Sequence, residues 1–99
     1  DNTQKGKIQS GGDITFTNKT QNIFNNDSDS EIKSGGDLTI NSGLLHNSNG
    51  GLVYSEGNID IKSLNNNGGT IEGYGDITIN HTGSALDIKN SLIQLIIIK

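Results

Sequence analysis

The residues best suited to chemistry recur at one place in a repeated pattern. Asp13, Asp37, Asn58 and Asp76 each follow a glycine, at steps of 24, 21 and 18 residues. If successive copies stack like rungs of a sheet, about 4.8 Å apart, their oxygens form a column suited to a hard cation such as calcium. The Gly-Gly-x-Gly-x-Asp calcium repeat is missing, and Asn58 removes one charge. The column therefore reads as four Asx turns facing water, each side chain bonding its own local backbone. No metal and no cofactor is expected.

Other candidates are sparser. Asp27, Asp29 and Glu31 alternate in the stretch "NNDSDSE", where carboxylates could grip a cation or act as an acid/base pair. Catalysis needs such a pair at a defined separation with a tuned partner, and no such constellation is legible. The stretch reads as a solvated loop. His46 and His81 lack a metal-ligand spacing and read as surface or connecting residues. The glycine-rich stretches are followed by short strand patterns, so they do not match a phosphate loop. A flat threonine array of the ice-binding kind is broken, since only Thr15 and Thr17 form the doubled pattern. Tyr54 and Tyr74 fall near adjacent corners, where they could stack on a sugar face, although lone surface aromatics are usually incidental.

Composition narrows the classes further. The chain has 99 residues, 29% apolar, with 14 Gly and a net charge of −4. That is too little apolar material for a rounded interior, yet the charge is too small and the isoleucines too regular for a self-repelling coil. Seven basic residues, all Lys, argue against phosphate neutralisation and hence against nucleic acid. Without Arg the usual tool for binding acidic groups is missing. Cysteine is absent, so disulfides play no part. No apolar run approaches the ~20 residues of a spanning helix, and no membrane insertion is expected. The chain starts without Met, and reads as a fragment of something longer.

What must position these residues is a repeat. "IQSGGDITF", "IKSGGDLTI", "VYSEGNIDI" and "IEGYGDITI" occupy residues 8–16, 32–40, 53–61 and 71–79 without a gap. Strand parity places Ile8, Ile14 and Phe16 on one inward face, then Ile32, Leu38 and Ile40, then Val53, Ile59 and Ile61, then Ile71, Ile77 and Ile79. Between the apolar positions a small residue and Gly12, Gly36, Gly57 or Gly75 mark a corner, where a missing Cβ lets the backbone pass close to the core.

Six residues before the first apolar position stand Asn26, Asn47 and Asn65, with Asp87 at the same distance before Ile93. These are expected to align as an amide ladder. Phe24, Leu45, Leu64 and Leu86 supply a third inward side. Identical patterns recurring in one orientation predict parallel stacking, with right-handed crossovers. The expected fold is all-β, a right-handed parallel β-helix of about four full coils of 18 to 24 residues, spanning residues 1–99 as one segment. An antiparallel sandwich would not require identical nine-residue patterns at near-constant intervals.

The four copies of apolar-x-[SG]-x-G-[DN]-[IL]-[TD]-[IF], with Asn-rich connections, resemble the repeats of the filamentous haemagglutinin family of Gram-negative secreted exoproteins. The resemblance covers about Ile8 to Ile88. It implies a long β-helical shaft exported by two-partner secretion through an outer-membrane transporter barrel. It also implies display at the cell surface, as an adhesin or as the stalk of a contact-dependent growth-inhibition protein. The partners it implies are that transporter and a receptor or glycan on a host or neighbouring cell. The tail, residues 92–99, departs from the pattern: Leu95 and Ile97 replace the small residue and Gly. It reads as a closing strand, a divergent coil or a boundary of the segment.

The expected function is thus non-catalytic, a structural or adhesive shaft. The alternative is a glycan- or receptor-binding patch on the outward face and on the loops Thr17 to Asp29 and Gly43 to Gly51. A β-helical carbohydrate-active enzyme is a distant third, for want of basic residues arranged against an acidic sugar.

Overall fold

A computed structural model of the chain describes residues 1–18, 22–81 and 92–95. Each nine-residue copy folds as two short strands meeting at a corner, because the Ser/Gly-rich centre carries no apolar side chain to hold a straight strand. The strands before the corner are β1 (Lys7–Ser10), β4 (Glu31–Ser34), β7 (Leu52–Ser55) and β10 (Thr70–Gly73). Those after it are β2 (Ile14–Thr17), β5 (Leu38–Asn41), β8 (Ile59–Ile61) and β11 (Ile77–Ile79). A third strand completes each of three coils: β3 (Ile23–Asn26), β6 (Leu44–Asn47) and β9 (Leu64–Asn65). The remaining strand, β12 (Leu92–Leu95), belongs to the tail.

Every pairing among these strands is parallel and joins one coil to the next. The first sheet runs β1-β4-β7-β10-β12, the second β2-β5-β8-β11 and the third β3-β6-β9. Ile8 faces Ile32, Ile32 faces Val53, Val53 faces Ile71 and Ile71 faces Ile93. The second sheet aligns Ile14, Leu38, Ile59 and Ile77, and the third aligns Phe24, Leu45 and Leu64. The parallel β-solenoid expected from the repeat is the fold observed.

The interior is a column rather than a ball. Ile32, Leu38, Ile40 and Leu45 of one coil, Val53, Ile59, Ile61 and Leu64 of the next, and Ile71 of a third are fully buried. Ile8, Ile14, Phe16, Phe24, Ile77 and Ile79 pack against them and stay half-exposed, at the two ends of the described stack. The same end effect exposes Ser10, while Ser34 and Ser55, at the equivalent place, are buried. Burial of an aliphatic side chain is worth roughly 1.5–3 kcal/mol, so each added coil brings its own share without enlarging the core. In the tail, Ile93 takes the register of the first apolar position, and β12 joins the first sheet beside β10 with Leu92, Ile93 and Leu95 still exposed. Leu86 and Asp87, together with residues 96–99, lie outside the described residues.

Candidate functional site

The polar columns that flank this core hold the residues singled out by chemistry. On the axis, Asn2 Nδ2 donates to Asn26 Oδ1 at 2.8 Å, Asn26 Nδ2 to Asn47 Oδ1 at 2.8 Å, and Asn47 Nδ2 to Asn66 Oδ1 at 2.7 Å. Asn2, Asn26 and Asn47 Nδ2 each donate a second time, to the carbonyls of Glu31, Leu52 and Thr70 in turn, and Asn66 Nδ2 donates to the carbonyls of Gly69 and Leu92. Asn26, Asn47 and Asn66 are completely buried, where an unpartnered amide would cost about 1–3 kcal/mol.

This corrects the expected membership. Asn65 is not in the ladder; its side chain reaches His46 Nε2 at 3.3 Å and caps Asn67 N–H at 3.0 Å. A six-residue offset counted back from Ile71 lands on Asn65 because the third coil's turn is one residue shorter. The register itself, Leu45 with Leu64 and His46 with Asn65, puts Asn66 beneath Asn47. Asn2 was missed, although it stands six residues before Ile8 and obeys the same rule.

The aspartate column also differs from expectation. Asp13 Oδ1 accepts Asp37 N–H, Asp37 Oδ1 accepts Asn58 N–H, and Asn58 Oδ1 accepts Asp76 N–H, each at 2.8 Å. The side chains cap the next coil rather than their own turn, because the corner's backbone N–H points along the stacking axis. The local turn bond is made instead by serine: Ser10 Oγ accepts Gly12 N–H, and Ser55 Oγ accepts Gly57 N–H. With one side-chain oxygen committed in each link, the column's geometry serves stacking. Among the described residues no three acidic or histidine side chains converge to hold a metal ion.

The corner glycines have a related but different reason from the one expected. None of the four has the left-handed backbone, and the core is not what a Cβ would strike. A Cβ on Gly36, Gly57 or Gly75 would run into the capping oxygen of Asp13, Asp37 or Asn58 and into the preceding coil's glycine backbone. Gly12, with no coil beyond it, would meet nothing within 4 Å.

The remaining candidates are dispersed. Asp27 Oδ1 accepts from Thr3 Oγ1 at 2.6 Å, and Glu31 Oε1 pairs with Lys33 Nζ at 2.9 Å, the hydrogen bond that chiefly lowers the Glu31 pKa. Asp29 sits at a left-handed turn position with Ser28, stacked on the Asn49–Gly50 turn through Asp29 N–H to Asn49 O at 3.1 Å. His81 Nδ1 accepts Leu64 N–H at 3.0 Å, the place taken one coil earlier by a backbone carbonyl, Ser63 O for Leu45 N–H. A side chain thus finishes part of the third sheet's edge, a role that no local sequence signal announces.

Tyr54 and Tyr74 do meet, with ring centroids 5.9 Å apart and planes at 80°. The Tyr54 hydroxyl is hydrogen-bonded to Tyr74, and this bond, then burial, pushes its pKa up to about 12. Compared with known proteins, the chain matches no family model, no curated protein and no solved structure. Its class rests on the coils themselves, a parallel β-solenoid held by stacked aliphatic, asparagine and aspartate columns.

Proposed function

We propose that the chain is a structural section of a secreted, surface-displayed filament of the filamentous haemagglutinin kind, and that it works as a shaft. What supports this reading is the ladder Asn2–Asn26–Asn47–Asn66, whose links join nearest neighbours only. A fold built that way lengthens by about 4.8 Å per coil without a larger core, which is what a rigid spacer requires. Its asparagine and aspartate columns are spent on stacking the coils. The sequence resemblance adds the route: export through an outer-membrane transporter barrel, then display toward a receptor or glycan on a host or neighbouring cell.

Immunogold labelling of intact cells that make the protein tests the proposal. Gold along filaments outside unpermeabilised cells is the expected result. Labelling that appears only after permeabilisation contradicts it.

A further inference from the structure

We propose that the corner between the first and second sheets carries a binding groove for a neutral carbohydrate chain. The groove is a shallow trough of about 530 Å³ to which three successive coils contribute: Gln9 and Gly11, then Lys33 and Gly35, then Tyr54 and Glu56. Its volume lies within the range of small-ligand sites. It lies away from the loops Thr17 to Asp29 and Gly43 to Gly51, and stands whether or not the shaft reading holds.

Three features select a sugar. Gln9, Lys33 and Tyr54 occupy one register row on the outward face, so their side chains project in line along the axis, one per rung of about 4.8 Å. That spacing suits a linear chain of rings. Tyr54 supplies an aromatic surface for the C–H face of a sugar, and its contact with Tyr74 fixes the ring beforehand, which lowers the ordering cost of binding. The Gln9 amide and Glu56 carboxylate are planar groups that can bridge neighbouring hydroxyls.

Charge selects a neutral chain. Lys33 Nζ is already paired with Glu31, whereas Glu56 makes no ion pair among the described residues. The chain has no Arg and a net charge of −4. A uronate, sulfate or sialic acid placed here would meet an uncompensated carboxylate and no available cation.

The test is an array of neutral and acidic oligosaccharides probed with the 99-residue chain, followed by calorimetric titration of the strongest neutral oligosaccharide. Saturable binding that prefers neutral glycans is expected. Tyr54→Ala and Glu56→Ala should each weaken it at least tenfold, and Lys62→Ala, outside the groove, should leave it unchanged. Glu56 is exposed and lines the groove, so Glu56→Ala removes a groove carboxylate without disturbing the coils. It decides the matter even if Tyr54→Ala fails to fold. No saturable binding, a preference for sulfated or sialylated chains, or binding that survives Glu56→Ala would overturn the proposal.

Discussion

Gly57 lies directly against Asp37: a Cβ on Gly57 would collide with the Asp37 oxygen that caps Asn58 N–H, and would stand 2.9 Å from the Gly36 carbonyl carbon and oxygen. The glycine and the aspartate of successive coils are therefore one device. The aspartate reaches along the axis because the glycine leaves room for it.

That device makes two substitutions at the same motif position behave oppositely. Gly57→Ala should cost about 3 kcal/mol, since backbone on one side and a hydrogen-bonded oxygen on the other cannot both yield. Gly12→Ala should be neutral or raise stability by about 0.4–1 kcal/mol, because it restricts only the unfolded chain. Urea unfolding of both variants measures the difference.

The asparagine ladder should be intolerant at its centre. Asn47→Ala removes an acceptor from Asn26 and a donor from Asn66 and Thr70, at a cost of roughly 3 kcal/mol or more. Asn47→Asp keeps the acceptor but buries a charge facing Asn66 Oδ1. That variant should be strongly destabilised at neutral pH and regain stability in acid, as the carboxyl protonates and recovers a donor. Thermal melts across pH 4 to 8 provide the check.

Alkaline titration should show Tyr54 ionising late. Tyr54 holds its proton up to about 12 through its bond to Tyr74, so absorbance at 295 nm should show one phenol ionising late. Because the folded value lies above the ordinary 10, this contact's stabilisation is complete below pH 10 and is lost as pH rises through about 12. Tyr74→Phe should move the late transition back toward 10. An unchanged late transition in that variant would refute the assignment.

Calcium should leave the protein's stability alone. Each of Asp13, Asp37 and Asn58 has Oδ1 engaged by a backbone N–H, so melting curves in calcium and in chelator should superimpose. A clear upward shift with calcium would mean the column does bind metal.

How much of this was written in the sequence depends on whether a feature repeats. Ile32, Val53 and Ile71 share a motif place, and their strand, face and stacking partners followed from parity and spacing alone. Asn26 and Asn47 were legible for the same reason. Asn66 was not, since a turn shortened by one residue breaks the count while the register stays intact. The axial reach of Asp37 was hidden because a Gly-Asp pair looks the same whether it bonds its own turn or the next coil. His81 occurs once, at an edge, and only the three-dimensional path shows that its ring stands in for a missing carbonyl.

The central claim is that equivalent residues sit rung upon rung in parallel register, and methyl nuclear Overhauser contacts in protein labelled at isoleucine and valine test it most directly. The account predicts contacts from Ile8 to Ile32, from Ile32 to Val53 and from Val53 to Ile71, and none from Ile32 to Ile71. Cross-strand Hα–Hα contacts of antiparallel pairing, or a direct Ile32–Ile71 contact, would contradict it.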